Sequence, residues 1–181
     1  MPTTGPNFGS SDTGTGTLGG GTASAWTNPN NANAADGVFT TSATTTGNLI
    51  TKDLNCQGFG FTITGSDTIN GITVEINRKS GTGVDSNDSM VQLLKAGALA
   101  GVNKATGTLW PAVATTVTYG GVADLWVTTW TSAQINAANF GIVITAIGSI
   151  GDTVAIDFIR ITITSTSVTG ITSQMMKMFQ F

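Results

Sequence analysis

The longest patterned runs of this chain alternate with a period of two. INGITVEINR, from Ile69, places Ile72, Val74 and Ile76 on one face and Thr73, Glu75 and Asn77 on the other. FGFTIT aligns Phe59, Phe61 and Ile63. SMVQLLKAG and TTVTYGG each run into a glycine turn, and NFGIVITAI and DTVAIDFIRITITST are the longest β runs. Period-two alternation in Val, Ile and Thr fits a pleated, half-buried surface and no long helix. Eight to ten short strands broken by Gly, Asn, Asp and Ser predict an all-β fold. The expected architecture is a two-sheet β-sandwich, jelly-roll-like. One helical signal interrupts it. Thr131 and Gln134 have capping-box spacing in WTSAQINAANFG, which predicts one short helical turn near 131–137.

The ends differ in kind. Residues 1–22 are rich in Gly, Thr and Ser and read as a flexible N-terminal arm, or one that orders only against a neighbouring subunit. Residues 23–166 form the predicted sandwich domain. Residues 167–181 make an apolar C-terminal tail in which Met175, Met176, Met178, Phe179 and Phe181 surround one charge, Lys177. Exposed Met and Phe are costly in water. The tail either folds back on its own domain or docks on a partner subunit, and docking is the expectation.

Function classes narrow quickly. The chain has no histidine, which removes His-based nucleophilic arrangements and the commonest zinc ligand. Only 9% of residues are charged, the net charge is −3, and no basic run exceeds Arg78-Lys79. The electrostatic footprint of nucleic-acid binding is therefore missing. Cys56 is the only cysteine, so no intrachain disulfide is expected and the chain can fold in a reducing cytoplasm. No secretory signal is visible, no apolar run is long enough for a membrane helix, and no cofactor motif occurs. No enzymatic activity is expected.

Few residues offer chemistry. Asp85, Asn87 and Asp88 bring hard oxygen donors to one loop, a weak candidate calcium site that matches no EF-hand pattern. The same residue types make ordinary turns. By strand parity Arg78 extends the inward face of Ile72, Val74 and Ile76, and Asp157 shares parity with Ile159, Ile161 and Ile163. That predicts an Arg78–Asp157 pair closing one end of the core. Trp26, Trp110, Trp126, Trp130 and Tyr119 either fill the core or present rings to a glycan.

A further set of segments carries a resemblance: WTNPNNANAADGVFTT from Trp26, FGFTI, INGITVEINR, GVNKA, LWP, YGG, DLW, WTSAQINAANFGI and IDFIRITIT. Together, over about residues 24–165, they resemble an all-β domain recurrent in virion proteins of tailed phages and prophages. The resemblance implies a virion structural protein assembled in the bacterial host cytoplasm. It brings no catalytic residues. A small chain of this kind fits a capsid decoration, cement or head-fibre protein. Its partners would be the major capsid protein or other virion proteins, bound through the tails, and its form a homo-oligomer, trimer favoured. A tail or fibre module recognising host surface glycans is the alternative, and a cellular carbohydrate-binding or adhesion domain a further one.

Overall fold

A computed structural model of the chain describes residues 2–21, 24–43, 49–83, 85–148 and 151–167. Eleven strands build two antiparallel sheets, a jelly-roll-like β-sandwich. The first sheet holds β1 (Thr3–Phe8), β11 (Thr153–Thr166), β6 (Thr68–Ser80) and β9 (Thr115–Gly121) in that order, with β3 (Thr40–Ala43) also on β11. The second runs β2 (Ser11–Gly16), β5 (Asp53–Gln57), β10 (Gly141–Gly148), β7 (Asn87–Lys95) and β8 (Ala98–Ala100), with β4 (Leu49–Ile50) on β10.

The predicted alternation supplies the core. Ile72, Val74 and Ile76 of β6 and Ile159, Ile161 and Ile163 of β11 face Leu54, Val91, Leu93, Ile142 and Ile144 of the other sheet. Glu75 and Arg160, directly opposite across the β6–β11 ladder, point the other way. They pair through two hydrogen bonds of 2.9 and 3.1 Å.

Three expectations fail for identifiable reasons. Residues 1–22 read as a flexible arm, or one ordered only by a neighbouring subunit, yet within them β1 lies against β11 and β2 against β5 of the same chain. The backbone of a Gly/Thr segment satisfies a sheet edge without needing a core of its own. Its glycines also permit close approach: a Cβ on Gly14 would lie 2.6 Å from the Trp26 Cβ. FGFTIT is extended but joins no ladder. Phe59, Phe61 and Ile63 are buried together, and the Asn136 amide stands in for a strand by bonding both the N–H and C=O of Ile63 at 2.8 Å. Finally, β11 carries a bulge between Ile156 and Phe158. A bulge shifts side-chain parity, so Val154 and Ile156 face inward before it and Ile159 after it.

The helical turn forms as α1 (Ser132–Asn136) with both arms of its capping box present. A 3₁₀ turn at Pro29–Ala32 was not anticipated. Among the described residues no helix is long and apolar enough to cross a membrane.

Candidate functional site

The bulge decides the fate of the predicted Arg78–Asp157 pair. Asp157 is turned away from the core and accepts a hydrogen bond from the Gly37 N–H at 2.8 Å. Arg78 faces inward from β6 as expected and is 1% exposed, but its partner is Asp88 on β7, in the opposite sheet. The Asp88 carboxylate also accepts from Trp110 Nε1 at 2.9 Å, Tyr119 Oη at 2.8 Å, and Thr106 N and Oγ1 at 3.1 and 3.2 Å. The guanidinium lies over the Trp110 and Tyr119 rings, 4.9 and 5.7 Å from their centroids. Burial pushes the Tyr119 phenol up to about 12 against the opposing pull of Arg78. A buried charge needs a partner and satisfied hydrogen bonds. Arg78 Nε and Nη1 are buried without a hydrogen-bond acceptor. Asp88 supplies the partner charge and clips the loop between β8 and β9 over one end of the sandwich. Its side chain is therefore committed inward, and Asp85, Asn87 and Asp88 do not form a calcium loop. Asn87 lies in β7 and donates to the Asp88 carbonyl at 3.1 Å. No group of three or more His, Cys, Asp or Glu side chains converges for a metal among the described residues.

The arm is held by carboxylates as well. Asp53 is fully buried and accepts from the N–H groups of Leu18 and Gly19. Asp12 on β2 stands opposite Cys56 on β5, and burial raises its carboxyl to about 7. With its amide turned as its neighbours require, Asn33 donates to the two Asp12 oxygens at 2.7 and 3.2 Å. Burial, then the Asp12 charge, pushes the Cys56 thiol well above its usual range, which makes it inert as a nucleophile.

The aromatics answer the question the sequence left open. Trp26, Trp110, Trp126, Trp130 and Tyr119 are all buried. They fill the core and seal its ends. Trp130 meets Phe140 edge-to-face at 5.5 Å, and Trp26 Nε1 donates to the Lys52 carbonyl.

What the surface offers instead is an apolar corner. Trp126 and Val127 have φ of 58° and 57°, with a hydrogen bond from Thr128 N to the Leu125 carbonyl. Positive φ at both central residues defines a type I′ turn, ordinarily Asn-Gly. A β-branched residue there is strained by about 1–3 kcal/mol. The turn is over-determined from behind. Trp126 is fully buried and donates through Nε1 to the Ile72 carbonyl at 3.0 Å, while Asp124 accepts from its N–H at 2.7 Å and pairs with Lys104. Gly120 has φ of 71°, and a Cβ there would lie 2.6 Å from Trp126 Nε1. The result holds Val127 in solvent, 86% exposed. Beside it lie Val102, whose N–H bonds the Trp126 carbonyl, and Val122, in the turn closed by Asp124 N on the Gly121 carbonyl. Both are exposed. Trp126 and Trp130, flanking a short segment before the capped turn, suggest a packed corner from sequence, but the positive-φ turn and the exposed valine carry no mark, because Trp-Val is not a recognisable turn dipeptide. Met175, Met176, Met178, Phe179 and Phe181, the predicted partner-binding residues, lie outside the described residues.

No family model matches the sequence. No curated protein matches it either. Among solved structures it is similar to a carbohydrate-binding module, titled "CBM4 structure and function", at 14% identity and a TM-score of 0.40. The match covers 71% of this chain and 85% of that one. A likeness this loose carries no functional weight.

Proposed function

We propose that this chain is a non-catalytic virion protein of a tailed phage that seats on assembled shell proteins as a decoration, cement or head-fibre component. The observation that carries the reading is the distribution of chemistry. Asp88, Arg78, Asp53, Asp12 and Cys56 are all buried in structural roles, while a rigid corner presents Val102, Val122 and Val127 outward. Exposed apolar groups gathered on one rigid feature mark a contact surface. The resemblance of the segments from Trp26 to Thr164 to virion domains supplies the setting. A homo-oligomer, trimer favoured, would repeat that surface around a symmetry axis.

Glycan recognition, on a tail fibre or a cell surface, is the competing reading. It draws on stacking rings, and the tryptophans and Tyr119 are turned inward. The test is to add purified protein to particles lacking it and to the same shell proteins unassembled, and to count bound copies. Saturable binding to assembled particles alone is expected. Binding to host polysaccharide with none to particles would overturn the proposal in favour of the glycan reading.

A further inference from the structure

The exposed corner and the end of β11 lie at the same end of the first sheet. β11 finishes with Thr164 opposite Gly71, Ser165 opposite Ile69 and Thr166 opposite Thr68. On the far side of β6, Ile72 pairs with Gly121 at the end of β9. Gly71 is so close to the next turn that a Cβ on it would lie 2.3 Å from the Val122 carbonyl carbon. Thr164 therefore lies two strand spacings, about 10 Å, across the sheet from Val122, and the chain leaves β11 two residues further on. The 14 residues from 168 to 181 span up to about 46 Å when extended. Reach is not limiting.

We infer that residues 168–181 of the same chain dock on this corner, with the Met175–Phe181 cluster over Val102, Val122 and Val127. Two apolar surfaces that are each costly in water lie on one short tether. A tether this short sets an effective concentration in the millimolar range, far above that of a second copy in dilute solution. Methionine suits the seat, since its unbranched side chain adapts to an irregular surface. Lys104 and Asp124 neutralise each other at the rim, 2.7 Å apart, so the seat presents no unpaired charge to an apolar segment. The contact itself does not depend on the virion reading. Its consequence does: the tail must leave the corner before a shell surface can seat on it.

Lys177 is the only basic residue in that segment, so trypsin reports on it directly. The rate of cleavage after Lys177 in the full chain is compared with that in a free peptide of residues 168–181. The expected result is cleavage slowed at least about tenfold, independent of protein concentration, with Val127→Asp and Val122→Asp each returning the peptide's rate. Both sites are exposed, and near-UV circular dichroism establishes that each variant keeps the native fold. Cleavage as fast as the peptide's overturns the inference. So does protection that the aspartates leave intact, which would place the seat elsewhere. Protection that fades on dilution assigns the corner to the tail of a second copy. None of these results decides particle binding, which copy counting reads separately.

Discussion

Removing the Asp88 carboxylate is the sharpest perturbation of the fold. In Asp88→Ala, Arg78 is left charged at 1% exposure with its guanidinium wedged between Trp110 and Tyr119. Orphaning one member of a buried ion pair costs about 3–5 kcal/mol. Trp110 Nε1, Tyr119 Oη and the Thr106 donors lose their acceptor as well. Each buried donor left unsatisfied adds roughly 1–3 kcal/mol. Even if water enters and serves most of them, the loss is about 4 kcal/mol or more. Typical domains have about 5–15 kcal/mol in total. Urea unfolding followed by tryptophan fluorescence should show Asp88→Ala unfolded or near its midpoint without denaturant. Arg78→Met combined with Asp88→Asn removes both charges and should be markedly more stable than the two single losses summed. A loss under about 1 kcal/mol in Asp88→Ala, or additivity within about 0.5 kcal/mol in the cycle, would refute the hub.

Other outcomes follow from the same geometry. Asp12 holds its proton to about pH 7 in the fold, against an ordinary value of 3.8. Between those values the unfolded chain binds fewer protons, so the Asp12 contribution is most favourable below about pH 4 and declines as pH rises to about 7. Urea midpoints should therefore fall across that window, and Asp12→Asn should flatten the slope; an unchanged slope counts against the buried carboxyl. In a chain ending at Ser167, where no tail can cover the corner, Val127→Asn relieves a strained positive φ at an exposed site, and thermal melting should show it neutral or more stable by up to about 1 kcal/mol. A clear loss would mean that the valine packs against something in the folded domain. Gly120→Ala places a Cβ 2.2 Å from the Ile72 carbonyl oxygen at φ of 71°, and should cost more than about 2 kcal/mol in the same assay.

The two-sheet sandwich was readable because β6, β10 and β11 carry long, regular Val/Ile/Thr alternation, and the capping box because Thr131 and Gln134 are local. Arg78 was rightly placed inward for the same reason. Its partner was not found, because a bulge at Asp157 breaks the parity count and a bulge has no sequence mark in IDFIRI. Asp88 looked like a turn residue beside Ser86 and Asn87; that it accepts from Trp110 and Tyr119 depends on a loop residue 22 positions away and a β9 residue 31 positions away. The arm was misjudged because low apolar content argues against an independent core. It does not argue against adding strands to a sheet that other residues have already built. A packed corner at Trp126 and Trp130 was legible, but the strained turn exposing Val127 was not, since its strain is imposed by Trp126, Gly120 and Asp124 from behind.

On the proposed reading the protein acts by binding an assembled shell. Anything that binds only the assembled state stabilises it. Particles lacking the protein should be heated with and without saturating full-length chain, and the temperature of genome release recorded. The release temperature should rise in proportion to bound copies. An unchanged release temperature, with no copies retained on the particles, would contradict that reading.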